Sequence, residues 1–243
     1  MPELNKANRQ VCDVDIRFLS SGKPFLFLDT ANTTTQNISG DSVYAMAKGQ
    51  RAIAYTDPIT GTMTIEAQVL PFKIYSLMSD GVVHSDAEYP KHETIVATKE
   101  GALTLSETPS GTVYVYVKGE FGDETSLISG SVSGKEFTAS STEKISVGSS
   151  YEVGYVVSKT SGVHRISFGD NYAVLDYTVT MSTVEKDEDG NLTPYIIKAY
   201  KATPQRNFEL SQASEGDPAS ITITFDLLRD KNGDVIDMIE DVE

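Results

Sequence analysis

Apolar and polar side chains alternate with a period of two along much of this chain. Between residues 11 and 19, Cys12, Val14, Ile16 and Phe18 are apolar while Asp13, Asp15 and Arg17 are charged. That is the pattern of a strand with one buried face, and it places Cys12 in the core as a buried thiol. Residues 60–68 repeat it, with Thr60, Thr62, Thr64, Glu66 and Gln68 set against Gly61, Met63, Ile65 and Ala67. In residues 219–227, Ile221, Ile223, Phe225 and Leu227 face away from Ser220, Thr222, Thr224 and Asp226. Residues 113–118, 151–157 and 174–184 read as further strands. Hairpin turns are predicted at Asp57-Pro58 to Gly61, at Asp189-Gly190 and at Asn232-Gly233. The second of these joins residues 172–186 and 192–203 into one long hairpin.

One segment has a different period. Leu70, Ile74, Leu77 and Met78 fall at helical spacing, Pro71 suits a first turn, and Gly81 is a stop signal. The expectation is a single α-helix over about 70–79, packed on a sheet. The polar residues 2–8 are expected to be mobile or held only by a partner. Residues 93–168 are richer in Ser, Thr and Gly, and 125–150 are especially small and polar. They read as a small β subdomain inserted into, or decorating, a main domain of residues 1–92 and 169–243. The fold class is therefore mainly β: a β-sandwich or partly rolled barrel, one flanking helix, and a small β subdomain.

Composition supports strands. Val, Ile and Thr make up 61 of the 243 residues and Leu only 14, and β-branched side chains favour a pleated surface over a helix. A single cysteine excludes a disulfide framework or a multi-cysteine zinc site. His84, His92 and His164 are too far apart in sequence for metal-ligand spacing. No apolar run approaches the roughly 20 residues of a membrane helix, and the polar N-terminus carries no secretory pattern. Synthesis in a reducing cytoplasm, without membrane association, is the expectation.

Charge narrows the partners. The formal net charge is −15, and residues 185–243 hold 14 acids against 6 bases. No run of Lys and Arg of the kind that grips a phosphate backbone occurs along the sequence. Asp187, Asp189 and Asn191, and again Asp230, Asn232 and Asp234, begin like a calcium loop. Both strings lack the glycine and the closing glutamate that such a loop needs, and ordinary turns account for them. There is no Gly-x-Ser-x-Gly elbow and no phosphate-binding glycine loop. Neighbouring acids, Asp123 with Glu124 and those of 185–189, fall in predicted turns. The expectation is a protein that is not an enzyme and has no cofactor, metal or catalytic residue. An enzyme with dispersed carboxylates is the reading these residues favour least.

Two stretches resemble the major tail tube protein of tailed bacteriophages. In the first, Leu28–Thr35 (LDTANTTT), Ala45–Tyr55 (AMAKGQRAIAY) and Thr60–Leu70 (TGTMTIEAQVL) lead into the helix. In the second, Glu185–Pro204 (EKDEDGNLTPYIIKAYKATP), NFELS and Glu215–Leu228 (EGDPASITITFDLL) follow one another. Together they cover about half of the chain. The resemblance implies a virion protein whose subunits form hexameric rings, stacked into a tube that conducts DNA into the host. It implies other tail proteins as partners (terminator, baseplate or tip, tape measure), and double-stranded DNA that passes without specific binding. With four strands from each subunit, strands about 4.8 Å apart and tilted roughly 40° close a barrel of about 48 Å diameter. Lined by side chains, that bore still exceeds a duplex of about 20 Å.

On that reading the polar edges Thr62, Thr64, Glu66 and Thr222, Thr224, Asp226 face either the lumen or outer solvent. Contacts between subunits or rings are placed on residues 41–50 with Arg51, notably Ala45, Lys48 and Arg51, and on the Asp189-Gly190 hairpin; plain surface loops would serve equally. The competing reading is an Ig-like or adhesin-type binding module without catalysis, which the Ser/Thr/Gly-rich middle would favour.

Overall fold

Segments whose apolar residues recur every second position become strands because only a pleated sheet buries them all on one side. The computed structural model describes residues 5–141, 144–207 and 218–241. The chain divides into two compact units, Met1–Val82 with Ile166–Glu243, and Val83–Arg165. Among the described residues every strand pairing is antiparallel.

In chain order, the first unit begins with β1 (Lys6–Ala7), β2 (Asp13–Phe18), β3 (Pro24–Leu28), β4 (Ala31–Ser39), β5 (Ser42–Ala47), β6 (Gln50–Thr56) and β7 (Thr60–Ala67). The second unit supplies β8 (Ala87–Val96), β9 (Ala102–Thr104), β10 (Val113–Val117), β11 (Gly130–Ser133), β12 (Glu136–Ala139) and β13 (Ser150–Lys159). The chain then returns to the first unit with β14 (Tyr177–Asp187), β15 (Leu192–Pro204), β16 (Ile221–Leu228) and β17 (Ile236–Glu240).

The first unit is built on a nine-stranded sheet in the order β3-β2-β14-β15-β16-β7-β4, with β1 added to β14 and β17 to β15. Val14 and Ile16 of β2, Val179 and Met181 of β14, Ile223 and Phe225 of β16 and Met63 and Ile65 of β7 share one core. A single sheet can bury all of these together only by curling over itself. Its far strand confirms the curl. The Cys12 amide donates to Thr34 Oγ1 of β4 at 3.4 Å, and Gln36 Nε2 of β4 donates to Met181 Sδ at 3.6 Å. The two halves thus face each other as a partly rolled sandwich, and among the described residues no sheet closes into a barrel.

The helix is a 3-10 helix of seven residues, Phe72–Met78, not the α-helix expected over about 70–79. Ile74 and Leu77, three apart, are both fully buried, and a three-residue turn stacks such a pair directly. The Ile74 amide donates to the Pro71 carbonyl at 3.0 Å, and Gly81, at φ +75°, donates to the Ser76 carbonyl at 2.9 Å to end the run. Lys73 Nζ ties the helix to the sheet through the Phe25 carbonyl at 2.7 Å.

Two predicted hairpin turns are corrected. Residues 57–59 do not connect a strand pair, because β6 pairs with β5 and β7 pairs with β4. The real turn is Lys48-Gly49, with φ of 51° and 82°, the two positive values that a tight hairpin of matching twist demands. Asn232-Gly233 is likewise no hairpin. β16 and β17 run in the same direction along one edge of β15, pairing at Leu228–Lys201 and then at Ile236–Ala199. The loop between them interrupts what would otherwise be one continuous strand beside β15. Asp189-Gly190 does close the β14–β15 hairpin, in register from Lys186–Leu192. The expectation of a mobile N-terminus fails at Lys6–Ala7, which pair with Asp187 and Lys186 of β14, while residues 2–4 lie outside the described residues.

The second unit is a sandwich of two three-stranded sheets, β10-β13-β8 and β11-β12-β9. Val115, Val153, Tyr155 and Val157 from one sheet pack with Leu103, Phe137 and Ala139 from the other.

Candidate functional site

The six positions singled out on the polar edges come together on one surface. Thr62 pairs across strands with Asp226, Thr64 with Thr224 and Glu66 with Thr222. All six project from the side of the β7–β16 pair opposite the core, since Met63, Ile65, Ile223 and Phe225 between them are buried. The hydroxyls of Thr64 and Thr224 lie 3.2 Å apart and share a hydrogen bond. Asp226 accepts from Gln205 Nε2 at 2.7 Å.

The surface extends to a strand that sequence reasoning missed. In β4, Thr33, Thr35 and Asn37 pair with Glu66, Thr64 and Thr62, so they stand on the same side. In ANTTTQNIS almost every residue is polar, so no apolar period announced a strand. The result is a three-strand field of threonine with only two carboxylates at its pairing positions, Glu66 and Asp226. Asn37, Ser39, Thr60, Thr62 and Asp226 border a hollow of about 350 Å³ at its end. Gly61 lets the strands close up there, because a β-carbon on it would lie 2.8 Å from the Asn37 carbonyl oxygen.

Ala45, Lys48 and Arg51 sit on a two-stranded ribbon, β5 with β6, that pairs with no other strand among the described residues. It is a ribbon and not a loop. Lys48 occupies its turn, and the Arg51 guanidinium lies 4.2 Å from the Tyr44 ring centroid. Pairing puts Val43 with Tyr55 and Ala45 with Ile53 on one side. Val43, Ile53 and Tyr55 are 58%, 55% and 60% exposed, more than a lone soluble subunit needs to show. Asp189 and Gly190 stand on the tip of the β14–β15 hairpin, a different hairpin from the ribbon. There the Asp187 carboxylate accepts from the Asn191 amide at 2.7 Å and its side-chain nitrogen at 2.9 Å.

Titratable groups elsewhere are tied into the structure. In the second unit the Ser106 hydroxyl donates to Glu93 and accepts from Lys91 Nζ at 2.6 Å, and the Tyr155 hydroxyl donates to Glu93 at 2.8 Å. Burial alone would raise the Glu93 carboxyl, but these hydrogen bonds, the Ser106 amide and the Lys91 charge hold it below its ordinary range. Asp230 is also held low against the effect of burial, by the amides of Asp234, Asn232 and Gly233. The Tyr200 hydroxyl, donating to Asp237, is pushed up to about 12. Cys12 is buried, and among the described residues no three His, Cys, Asp or Glu converge on a metal-sized site. Among the described residues no helix is long and apolar enough to cross a membrane.

Clustered cations, which the linear sequence lacks, are assembled by the fold. Arg17, Lys198, Lys201, Arg229 and Lys231 line a second hollow on the outer side of the β2–β14–β15 half. A comparison with curated proteins finds no match. A family model described as YomU/Tube protein family matches residues 9–238, nearly the whole chain.

Proposed function

The chain belongs to the YomU/Tube protein family, and from that premise we propose that it is the subunit of a phage tail tube, assembled from hexameric rings stacked around a conduit for DNA. The observation that carries the reading is the β5–β6 ribbon, whose apolar side finds no cover among the described residues. A second copy supplies that cover. Among the described residues the rolled sheet of the first unit also ends in open edges at β3 and β4, and copies that pair or pack there remove edges that would otherwise invite aggregation.

In this assembly the threonine field of β4, β7 and β16 lines the bore. Thr62, Thr64, Thr222 and Thr224 offer DNA hydroxyls, and Glu66 and Asp226 offer only charge repulsion screened over about 8–10 Å. A duplex slides past such a wall without being held. Ala45, Lys48 and Arg51 on the ribbon, with Asp189 and Gly190 on the second hairpin, make contacts between subunits or rings. The unit Val83–Arg165 is an inserted or decorating subdomain, and tail completion proteins are the further partners. A net charge of −15 keeps subunits soluble before assembly.

Analytical ultracentrifugation across a concentration series tests this. The wild-type chain is expected to pass from monomer to fast-sedimenting assemblies. The double variant Ile53→Asp, Tyr55→Asp is expected to stay monomeric with unchanged secondary structure. Assembly unaffected by that double change would remove the ribbon from the account.

A further inference from the structure

The hollow on the β2–β14–β15 half has a volume of about 860 Å³, and Arg17, Lys198, Tyr200, Lys201, Arg229 and Lys231 are among the residues that line it. Two of its cations are neutralised locally, Arg17 by Asp15 at 2.6 Å and Lys201 by Asp176 at 3.2 Å. Among the described residues no carboxylate forms an ion pair with Lys198, Arg229 or Lys231. Lys198 Nζ lies 4.5 Å from the Tyr200 ring centroid. The one acid in the lining, Asp230, is engaged by its own loop, accepting from the amides of Asn232 and Asp234 at 2.8 and 2.9 Å. Asp237, paired across strands with Lys198, accepts from the hydroxyl of Tyr200, which lines the hollow. In a chain of net charge −15, five cations against one carboxylate in the lining of a concave place call for an anionic occupant.

We propose that this hollow receives the carboxylate-rich tip of the β14–β15 hairpin, Glu185–Asp189, of a second copy of the chain. The tip carries Glu185, Asp187, Glu188 and Asp189 around Lys186; Asp187 and Glu188 also accept from Asn191 and Asn5, and Asp189 stands at the turn. It cannot fold back into its own hollow. The hollow is lined by Thr178 and Thr180 near the start of β14, and the tip lies beyond the other end of the same strand. About 35 Å of extended backbone separates Thr178 from Asp189. One hairpin thus carries a basic socket near one end and an acidic plug at the other. A plug and socket at opposite ends of one hairpin form a heterologous contact, which propagates head to tail wherever its rotation does not close a ring. This deepens the tube reading and rests on it, because it identifies the socket that Asp189 enters when rings stack.

Charge-swap variants of the full chain, imaged by negative-stain electron microscopy, test the proposal. Lys198→Glu with Lys231→Glu, and separately Glu188→Lys with Asp189→Lys, are each expected to block stacking, and the four changes together to restore it. The neutral pair Lys198→Gln, Lys231→Gln is expected to weaken stacking with a smaller effect and retain the wild-type circular dichroism spectrum. Tubes from both charge-reversed pairs as readily as from wild type would overturn the socket and leave the tube reading standing. Should the wild-type chain form no tubes, the tube reading fails, and the socket is judged by calorimetric titration of the monomer with a synthetic peptide of residues 183–193. Binding that falls roughly tenfold or more with Lys198→Glu, Lys231→Glu, and weakens with salt, supports the socket. No peptide binding, or binding of a DNA duplex in its place, overturns it.

Discussion

At Gly61 the fold leaves no room for a side chain: a β-carbon would meet the Asn37 carbonyl oxygen at 2.8 Å and Leu227 Cδ1 at 3.2 Å. Gly61→Val is expected to destabilise the first unit by about 1–3 kcal/mol, measured by denaturant unfolding, by forcing β4 off β7. Tyr177 offers the opposite case. It is fully buried, and its hydroxyl has no hydrogen-bond partner among the described residues. Tyr177→Phe is expected to leave thermal stability unchanged or raise it, by up to about 1 kcal/mol. Acid sensitivity follows from the carboxylates held low, Glu93 and Asp230 among them. Because their native values lie below those of the unfolded chain, the unfolded state takes up more protons as pH falls. The stability they contribute is complete above the ordinary carboxylate range, about pH 4, and is lost below it. Thermal melts from pH 7 to pH 3 should show that decline, and Glu93→Gln should flatten it in the second unit.

Among the elements, those with a clean two-residue period were readable without coordinates. Met63 and Ile65 against Thr62 and Thr64, and Ile223 and Phe225 against Thr222 and Thr224, mark both their strands and the polar surface those strands share. What the alternation does not encode is partnership. Nothing in residues 31–39 separates an inner from an outer side, so β4 and its contribution of Thr33, Thr35 and Asn37 emerge only from pairing. The turn at Lys48-Gly49 was hidden for a related reason, since a lysine seldom occupies a positive φ and Asp57-Pro58 carried the stronger local signal. The helix shows the limit of period counting. Leu70, Ile74, Leu77 and Met78 fit an α-helix, but only Phe72–Met78 is helical, and Ile74 and Leu77 serve a three-residue turn equally well. At this scale the ribbon is the most exposed prediction. Ile53→Asp with Tyr55→Asp should shift unfolding free energy by no more than about 0.5 kcal/mol, because neither side chain is buried, while abolishing assembly.

For the whole molecule, the distribution of charge matters more than its sum. The chain is strongly acidic, yet its folding gathers Arg17, Lys198, Lys201, Arg229 and Lys231 from three separate stretches into one hollow. A linear scan for basic clusters could not see this. Acidic, threonine-lined and cationic surfaces occupy different parts of one rolled sheet, and in the proposed tube each has a different neighbour: the solvent and a ring above, the passing duplex, and a ring below. The measurement that tests the central claim most directly is a cryo-electron microscopy reconstruction of the concentrated full-length chain. The account predicts hollow stacks of six-fold rings, with a bore wider than a DNA duplex of about 20 Å and β4, β7 and β16 turned toward it. Particles that remain single subunits at every concentration, or an assembly that turns those three strands away from any bore, would contradict it.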